Sequence, residues 1–461
     1  MEQEIKKIIE EQRKFFLDNN TKSYEFRKKQ LNIFKDIVNK HEDEIYSAIE
    51  EDLGRSPANS FIGEILTLKG EISYSIKNLK KLMRGKTVWT PFSNMPGKSE
   101  IIPEPYGNTL VISPWNYPFQ LAFIPALSSI SAGNTVIIKP SEYSVKTSEL
   151  IKKLTDKYFD PKILYTVIGG IEESQTLLKQ KFDYIFYTGG TVGGKAVAKA
   201  AAENLTPITL ELGGKSPCIV GELKNLTSTA KRITWGKFYN AGQTCVAPDY
   251  LLVHKNIKEK LIEEIKQQIK NFYGENPKES KDFARIINER HFDRIVNLIE
   301  GEKIIEGGIF DREQKYISPT LLDKISWKSK IMQEEIFGPV LPIIEYEHEE
   351  EFFDEIKKRD KPLAMYIFTE DKKFKNRILT SLSSGGVCVN DTIMHISSTS
   401  LPFGGVGGSG IGSYHGKAGF DTFSHNRSIM SKWLGFDLSM KFPPYGNFTD
   451  NLKKLFEIFN S

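Results

Sequence analysis

Cysteine is scarce in this chain, with three residues among 461. So few cysteines, in an odd number, do not make a disulfide framework, and the chain is expected to work in a reducing cytosol. No apolar run approaches the roughly 18 residues needed to cross a bilayer. The charged start MEQEIKKIIEEQRKFF is unlike a signal peptide. A transmembrane or exported protein is therefore not expected.

Excess charge of one sign is also missing. The 63 basic and 59 acidic residues leave a net charge of +4, and the two signs are mixed along helical stretches such as IKEKLIEEIKQQIK. A nucleic-acid surface needs clustered basic residues, so no nucleic-acid partner is expected. The seven histidines show no metal-ligand spacing among themselves or with the cysteines, so no metal site is predicted.

The chain does have two regions in which apolar strands alternate with helices. Residues 1–83 are predicted helices, and from residue 108 onward the runs TLVIS, NTVIIK, ILYTVI, FDYIFYT and PITLEL predict five strands. This alternation is typical of a doubly wound parallel sheet covered on both faces. The runs PCIVG, YLLVHK, PLAMYIFTE and GVCVND predict strands of a second α/β region, and the broken pattern of 87–107 predicts a hairpin or extended arm.

Two glycine-rich segments are candidates for binding a cofactor phosphate. The segment 405–410 matches G-x-G-x-x-G, but it follows SSTSLPF rather than a strand, so a mobile or tightly packed loop is the better interpretation. In FDYIFYTGGTVGGKAVAKAAA, a strand leads through Gly189 and Gly190 to a helix that opens near Gly194. The bare backbone and the helix N-terminus would suit a pyrophosphate, although a tight strand–helix turn explains the spacing equally well.

The segment NTVIIKPSE places Lys139 at the carboxyl end of a strand that Pro140 terminates. Ligands of open α/β sheets bind at that edge, so Lys139 and Glu142 could reach ribose hydroxyls. The alternative is a helix cap at Ser141 with solvated neighbours.

The segment FYNAGQTCVAP places Cys245 between a Gly-Gln-Thr turn and an Ala-Pro break. This context favours an exposed thiol at a loop tip, which is a candidate nucleophile. Cys218 and Cys388 lie in strand-like runs and are predicted to be strand core.

Read in order, SPWNYP, KPSE, YTGGTVGG, LELGGKSP, GQTCVAP, EEIFGPV and PFGGVGGSG resemble the aldehyde dehydrogenase superfamily over residues 100–430. The later segment GSYHGKAGFDTFSHNRSIM is similar to the class 3 branch. The resemblance implies NAD(P)-dependent oxidation of medium- or long-chain aliphatic or aromatic aldehydes to carboxylic acids by a homodimer. It also implies that His415 packs or hydrogen-bonds near the subunit contact.

The resemblance implies catalytic roles for three residues. Cys245 would be the nucleophile, and Asn116 would stabilise the oxyanion together with the Cys245 N–H. Glu211 would activate water for thioester hydrolysis; a strand-end Glu is more often solvated, so this role depends on the resemblance. The implied cofactor contacts are Trp115, Lys139, Glu142, Gly189, Gly194, Glu335 and Phe337.

The identity of the cofactor stays open between NAD and NADP. Glu142 beside the ribose would disfavour a 2′-phosphate, which favours NAD, but similar class 3 sequences accept both. The turn also departs from the pattern of many relatives at Gly190 and Gly193, so the loop is expected to be looser.

We expect a dinucleotide-binding domain of 1–86 and 108–213, a catalytic domain of 214–418, and an oligomerisation arm with the C-terminal tail, 87–107 and 419–461. The final NLKKLFEIFN has an apolar face formed by Leu452, Leu455, Phe456 and Phe459. Docking on a partner subunit is favoured over a membrane contact, because flanking Trp and a dense basic side are missing.

Three other functions compete with aldehyde oxidation. An acylating relative that passes the acyl group to coenzyme A or phosphate is disfavoured by Glu211, since a water-activating base suits hydrolysis. A nucleotide-independent cysteine hydrolase would need a histidine near Cys245 and no cofactor site. A non-catalytic dimer on the same fold is disfavoured because Cys245, Glu211 and Asn116 are all present.

Overall fold

The computed structural model describes residues 2–435, 442–445, 449–450, 452–453 and 457. The described residues divide into two compact units, one within Met1–Leu82 and Pro105–His425 and the other within Met83–Glu104 and Asn426–Ser461. The predicted apolar face near the C-terminus falls largely outside the described residues, because Leu455, Phe456 and Phe459 are not among them.

Helices begin the chain and then separate most of its strands. They are α1 Glu2–Leu17, α2 Tyr24–Lys40, α3 Glu42–Leu53, α4 Pro57–Ser60, α5 Leu66–Met83, α6 Gln120–Ala132, α7 Val145–Tyr158, α8 Ile171–Leu178, α9 Thr191–Glu203, α10 Leu226–Phe238, α11 Lys258–Tyr273, α12 Glu289–Ile299, α13 Glu350–Lys357, α14 Lys372–Ser381 and α15 Gly416–Thr422. The helices predicted for residues 1–83 are confirmed as α1 to α5.

The strands are short, as is usual for buried sheets between helices. They are β1 Lys86–Val88, β2 Gly97–Pro105, β3 Asn108–Ile112, β4 Thr135–Lys139, β5 Leu164–Thr166, β6 Tyr184–Thr188, β7 Ile208–Glu211, β8 Pro217–Val220, β9 Tyr250–His254, β10 Lys303–Glu306, β11 Phe310–Asp311, β12 Tyr316–Ile317, β13 Thr320–Asp323, β14 Val340–Tyr346, β15 Ala364–Phe368, β16 Gly386–Val389, β17 Gly410–Ile411 and β18 Ser424–Lys432.

The first large sheet has the strand order β17-β7-β6-β3-β4-β5. Strands β3 to β7 pair in parallel, and only β17 is antiparallel, against β7. Every residue of β3 and β4 is buried, which explains why the interiors of these strands are continuous apolar or hydroxyl-bearing runs, with Asn108 at the start of β3 and Lys139 at the end of β4. The predicted doubly wound parallel sheet is confirmed.

The second large sheet has the order β10-β13-β14-β9-β8-β15-β16. Its pairs are parallel except β10 with β13. The four strands predicted in this region are present, whereas β10, β13 and β14 were missed. The four residues of β13 follow Pro319, and β14 continues directly from a Phe-Gly-Pro turn, so local pattern alone did not separate them from loops.

A small three-stranded sheet contains β1, β2 and β18. β1 and β2 pair antiparallel, with Thr87 opposite Glu100, which confirms the predicted hairpin in the stretch 87–107. The third strand, β18, lies in the range 419–461 that was grouped with this arm.

Candidate active site

The predicted site residues of the first sheet come from the carboxyl ends of its parallel strands. Lys139 is the last residue of β4 and Glu211 the last residue of β7, while Asn116 follows β3 and Gly189 follows β6. Carboxyl ends of parallel strands meet at one edge, which is where open α/β sheets bind ligands. The topology therefore collects these four residues at one edge of the sheet.

A strained turn delivers Cys245 to its position. After α10, Asn240 and Ala241 adopt left-handed backbone conformations with φ of 52° and 51°, and Gly242 follows with φ of 72°. A side chain at Gly242 would overlap the carbonyl oxygen of Gly338, so only glycine fits. Left-handed Asn and Ala are costly unless surrounding contacts hold them, and such strain is typical of functional sites.

The loop of Asn116 is bonded to the loop of Cys245. Asn116 Nδ2 donates to the Gln243 carbonyl oxygen at 3.0 Å, and Asn240 Nδ2 donates to the Asn116 carbonyl oxygen at 2.9 Å. The Tyr117 hydroxyl and Thr244 Oγ1 are 2.6 Å apart. These bonds fix the residue predicted to donate to the oxyanion beside the cysteine loop.

The Cys245 thiol is partly buried, and the prediction of an exposed thiol at a loop tip was wrong. Burial raises its pKa, and the carboxyl groups of Glu335 and Glu211 raise the pKa further. The backbone N–H groups of Cys245 and Val246 act in the opposite direction. The charged groups that raise the pKa of this thiol are thus both carboxyl groups.

Glu211 is an enclosed carboxyl group, with 2% of its surface exposed. Neither of its carboxyl oxygens has a hydrogen-bond partner among the described residues. Burial raises the pKa of Glu211 well above its usual value of 4.5. A carboxyl group without partners is free to exchange its proton with a substrate or water molecule that enters the site.

The Glu335 side chain contacts the residues that follow β7. It is partly buried and packs against Gly213, where an added side chain would overlap its carboxylate. Burial, with Asp249 as a nearby negative charge, raises the pKa of Glu335 to about 8. Phe337, two residues on, has a left-handed backbone with φ of 49°, and its ring lies 5.4 Å from that of Trp115.

Lys139 and Glu142 form a pair at the end of β4. Lys139 is 2% exposed, and its Nζ lies 3.3 Å from Glu142 Oε2 and donates to the Pro140 carbonyl oxygen at 2.9 Å. Burial lowers the pKa of Lys139, while Glu142 raises it. The two side chains are therefore paired with each other at the carboxyl end of β4.

The glycine turn after β6 is open where an anion would bind. Gly190 caps α9 without a side-chain hydrogen bond, and a side chain added at Gly190 would begin in open space. At Gly189 and Gly193 an added side chain would instead overlap the Tyr187 phenol, and at Gly194 it would press on Leu212. An unblocked helix N-terminus at the same sheet edge as Lys139 fits the pyrophosphate and ribose of a nicotinamide dinucleotide.

The glycine-rich segment near residue 405 does not form such a turn. It leads into β17, which pairs with β7 so that Gly410 lies opposite Glu211. A side chain at Gly410 would overlap the Leu210 carbonyl oxygen. The segment is therefore closely packed at Gly410, in agreement with the tightly packed loop predicted for it.

A largely apolar cavity of about 380 Å³ opens beside Cys245. Its lining includes Leu66, Leu121, Trp235, Ile393 and Phe403. His415 and Glu71 also line it, with His415 Nδ1 and Glu71 Oε1 3.0 Å apart. Sequence reasoning missed Glu71, because a Glu in an amphipathic helix is normally solvated.

Arg55 and Glu64 were also missed. They are enclosed behind the Asn116 loop, with Nη1 of Arg55 3.3 Å from Oε1 of Glu64. Charged residues in a helical stretch give no sequence signal for such burial.

No group of side chains suited to hold a metal ion occurs in the described part of the chain. Within that part, no helix is both long and apolar enough to cross a membrane.

The comparisons with known proteins agree with this geometry. The model of the aldehyde dehydrogenase family matches residues 1–429, so the chain belongs to that family. It is an NAD(P)-dependent enzyme that oxidises aldehydes.

Within the family the chain is similar to class 3 members. It is 46% identical over 446 residues to aldehyde dehydrogenase family 3 member A2 of Macaca fascicularis, covering 96% of this chain and 91% of that protein. It is 43% identical over 442 residues to the dimeric NADP-preferring aldehyde dehydrogenase of Canis lupus familiaris, covering 95% and 98%. The solved substrate-bound state of Staphylococcus aureus AldH superposes with a TM-score of 0.95 at 45% identity, covering 98% and 99%.

Proposed function

We propose that Cys245, Asn116 and Glu211 carry out the oxidation of an aldehyde held in the cavity beside Cys245. The observation that supports this best is the enclosure of the thiol between the apolar cavity and two carboxyl groups. Its sulfur, as thiolate, adds to the aldehyde carbon and forms a thiohemiacetal. The negative charge then moves to the former carbonyl oxygen.

Asn116 and the backbone N–H of Cys245 are proposed to donate to that oxygen. Asn116 Nδ2 carries two hydrogens, and one is committed to Gln243. The other is available for the substrate. A donor that is already fixed stabilises developing charge without reorganising during the reaction, which is the main contribution of an oxyanion hole.

The cofactor is proposed to lie along the carboxyl edge of the first sheet. Lys139 and Glu142 would hold the adenine-side ribose, and Gly189 and Gly194 would form the turn under the pyrophosphate. Glu335 would bind the nicotinamide ribose, with Phe337 and Trp115 as the nearby wall. The bound nicotinamide supplies one reaction, acceptance of the hydride that leaves the thiohemiacetal carbon, and the cysteine is then left as a thioester.

Glu211 is proposed as the base of the final step. Its raised pKa makes it a stronger base than an exposed carboxylate. Its carboxylate takes a proton from a water molecule as the water oxygen adds to the thioester carbon. The C–S bond then breaks, the carboxylic acid leaves, and the Cys245 thiolate is restored.

The proposed substrates are medium- or long-chain aliphatic and aromatic aldehydes. The cavity wall is dominated by aliphatic and aromatic side chains, which suit an apolar substrate body. For the cofactor, Glu142 supports NAD because a carboxylate repels a 2′-phosphate. The NADP-preferring relative supports NADP, so we propose that both are accepted with NAD favoured.

Assembly and location are proposed as follows. A homodimer is supported by the dimeric relative, and an oligomerisation role for 87–107 and 419–461 by the separate small sheet. The division into a cofactor domain of 1–86 and 108–213 and a catalytic domain of 214–418 is supported by the two large sheets. A cytoplasmic location is supported by three free cysteines.

The nucleophile can be tested with two cysteine variants. Cys245→Ala should reduce NADH formation from hexanal and NAD⁺ by at least about 10³-fold, because the covalent route is lost. Binding of NAD⁺, followed by quenching of tryptophan fluorescence, should persist. Cys388→Ala is the matched control, since Cys388 lies in β16, and should keep its activity. Turnover retained in Cys245→Ala would remove the proposed nucleophile.

A further inference from the structure

Arg55 is a cation enclosed in the protein, in the segment between α3 and α4. Its side chain is 1% exposed. Gly54, with a left-handed φ of 61°, ends α3 and turns the chain there. A charge removed from water is costly unless it is closely paired, so the partners of this guanidinium define its role.

The guanidinium contacts the loop that carries the proposed oxyanion donor. Its Nη1 lies 3.2 Å from the Asn116 carbonyl oxygen, to which it donates, and 3.3 Å from Glu64 Oε1. Its Cζ lies 4.9 Å from the ring centre of Tyr117, within the range of a cation–π contact. Arg55 therefore holds two consecutive residues of this loop.

Glu64 holds the other end of the same loop. Its Oε2 accepts hydrogen bonds from the backbone N–H of Gln120 at 2.7 Å and of Phe119 at 3.2 Å. These groups lie at the start of α6, where Phe119 provides no side-chain cap. The carboxylate supplies the acceptor that a capping residue would normally supply. The ion pair thus fixes the loop at residue 116 and at residues 119–120.

The pair lies directly behind the wall of the substrate cavity. Gly63 belongs to that wall, and a side chain added there would begin 2.9 Å from Arg55 Nη2 and 2.6 Å from the Tyr239 hydroxyl oxygen. Only glycine leaves room for the guanidinium at this depth. These distances couple the position of the Arg55 guanidinium to the shape of the cavity wall at Gly63.

We propose that Arg55 is a positioning residue for Asn116, with Glu64 as its counterion, an inference that rests on the proposed function. The Asn116 carbonyl oxygen is also held by Asn240, which belongs to the Cys245 turn. Arg55 supplies a second hydrogen bond to the same oxygen, from a residue outside that turn. With its backbone held by these two donors, the Asn116 amide keeps its orientation toward the substrate oxygen.

The competing explanation is that the pair only stabilises the fold. That role would lower the thermal midpoint without a selective effect on chemistry, whereas positioning predicts that the effect of Arg55 depends on Asn116. A double-mutant cycle separates the two. The rate to measure is the single-turnover rate of NADH formation in stopped flow, with saturating NAD⁺ and hexanal.

The cycle uses Arg55→Met, Asn116→Ala and the double variant. Asn116→Ala should slow the step by about 10²- to 10³-fold, as expected for one lost oxyanion donor. Arg55→Met should slow it by about 10- to 100-fold, because small misplacements at a reacting centre have effects of this size. In the Asn116→Ala background, Arg55→Met should cause little further loss. The Kd for NAD⁺ should stay unchanged.

Arg27→Met is the matched control, because Arg27 is also a buried arginine that holds α6, but at its other end. It is 5% exposed and donates to the Ser131 carbonyl oxygen at 3.3 Å. This variant should lower the thermal midpoint and leave the single-turnover rate unchanged. If Arg55→Met does not fold, Arg55→Lys keeps the charge without the planar fork and should show a smaller loss with the same dependence on Asn116.

Two results would overturn the inference: an equal fold loss from the Arg55 change in both backgrounds, or no loss from Arg55→Met at all. Failure of the proposed function gives a different signature. In that case Asn116→Ala itself would react at the wild-type rate, or the wild-type protein would form no NADH with aldehyde.

Discussion

The backbone N–H of Gly189 donates to the backbone carbonyl oxygen of Glu211 at 3.0 Å. This bond joins the ends of β6 and β7, so the turn that opens α9 is fixed directly to the residue proposed as the base. The glycine turn and the buried carboxyl group therefore cannot be displaced independently. Changes to the Glu211 side chain leave this backbone bond in place, which makes its chemistry testable in isolation.

Glu211→Gln should separate formation of the thioester from its hydrolysis. The amide cannot accept a proton from water, so acyl-enzyme should accumulate after one rapid turnover, and steady-state turnover should fall by about 10²- to 10⁴-fold. Quenched-flow trapping of the thioester with mass spectrometry measures this. Glu203→Gln, at the exposed end of α9, is the control and should turn over normally. Rapid deacylation in Glu211→Gln would show that another base acts.

The same variant should change how stability depends on pH. Burial raises the pKa of Glu211, so the folded protein keeps a proton that the unfolded chain has already lost. The favourable contribution is complete below the usual carboxyl pKa of 4.5 and is lost as pH rises through the raised value. The thermal midpoint of Glu211→Gln should therefore match wild type near pH 4 and exceed it increasingly as the pH rises above 4.5. A difference in thermal midpoint between variant and wild type that stays constant from pH 4 to 9 would contradict this prediction.

Glu335→Gln should make the Cys245 thiol more reactive. The Glu335 charge raises the pKa of the thiol, and the pKa of Glu335 itself is about 8. Alkylation of Cys245 by iodoacetamide should therefore be several-fold faster in the variant above pH 8, where the charge is present in wild type. Mass spectrometry of the Cys245 peptide separates this signal from that of Cys388. Glu334→Gln removes an exposed neighbour paired with Arg294 and should leave the rate unchanged.

Gly70→Leu should shorten the accepted substrate. Gly70 lies in α5 and lines the cavity, and a side chain added there would begin with no atom within 4 Å. The leucine should raise KM for dodecanal by about 10-fold or more, since excluded methylenes carry this much discrimination, and change KM for butanal little. Gly70→Ala is the control, with a smaller intrusion and a helix gain of about 1 kcal/mol. An equal change for both aldehydes would show that Gly70 does not limit chain length.

Glu142→Gln should shift the cofactor preference toward NADP⁺. Removing the carboxylate removes its repulsion of a 2′-phosphate, while the Lys139 ammonium nearby is retained. The ratio of Kd values for NADP⁺ and NAD⁺, from fluorescence titration, should fall. Glu149→Gln, an exposed change further along α7, should leave the ratio as it was. An unchanged ratio in Glu142→Gln would place the 2′ position elsewhere.

Much of the fold could be predicted because buried parallel strands are apolar throughout and are separated by helices. β3, β4 and β6 were found this way. β10 and β13 could not be. No residue of β10 is buried, and β13 follows directly on Pro319, which interrupts the local pattern.

The site was predictable where function requires unusual local sequence. Cys245 follows a Gly-Gln-Thr turn, and Lys139 and Glu211 end apolar strands. Burial of the thiol could not be predicted, since the cavity around it is built by segments far apart in the chain. Arg55 was missed for a related reason: its partners, Glu64 and the Asn116 loop, are not its immediate neighbours in sequence.

The left-handed turn before Cys245 affects both the stability of the fold and the orientation of the Cys245 sulfur. Asn240 and Ala241 each occupy a conformation that costs an L-residue roughly 1–2 kcal/mol. Glycine at position 241 would remove that cost and raise the free energy of unfolding. It would also allow the Cys245 sulfur a wider range of orientations. At this turn, a sequence adapted to high temperature would therefore gain thermal stability only at the expense of turnover rate.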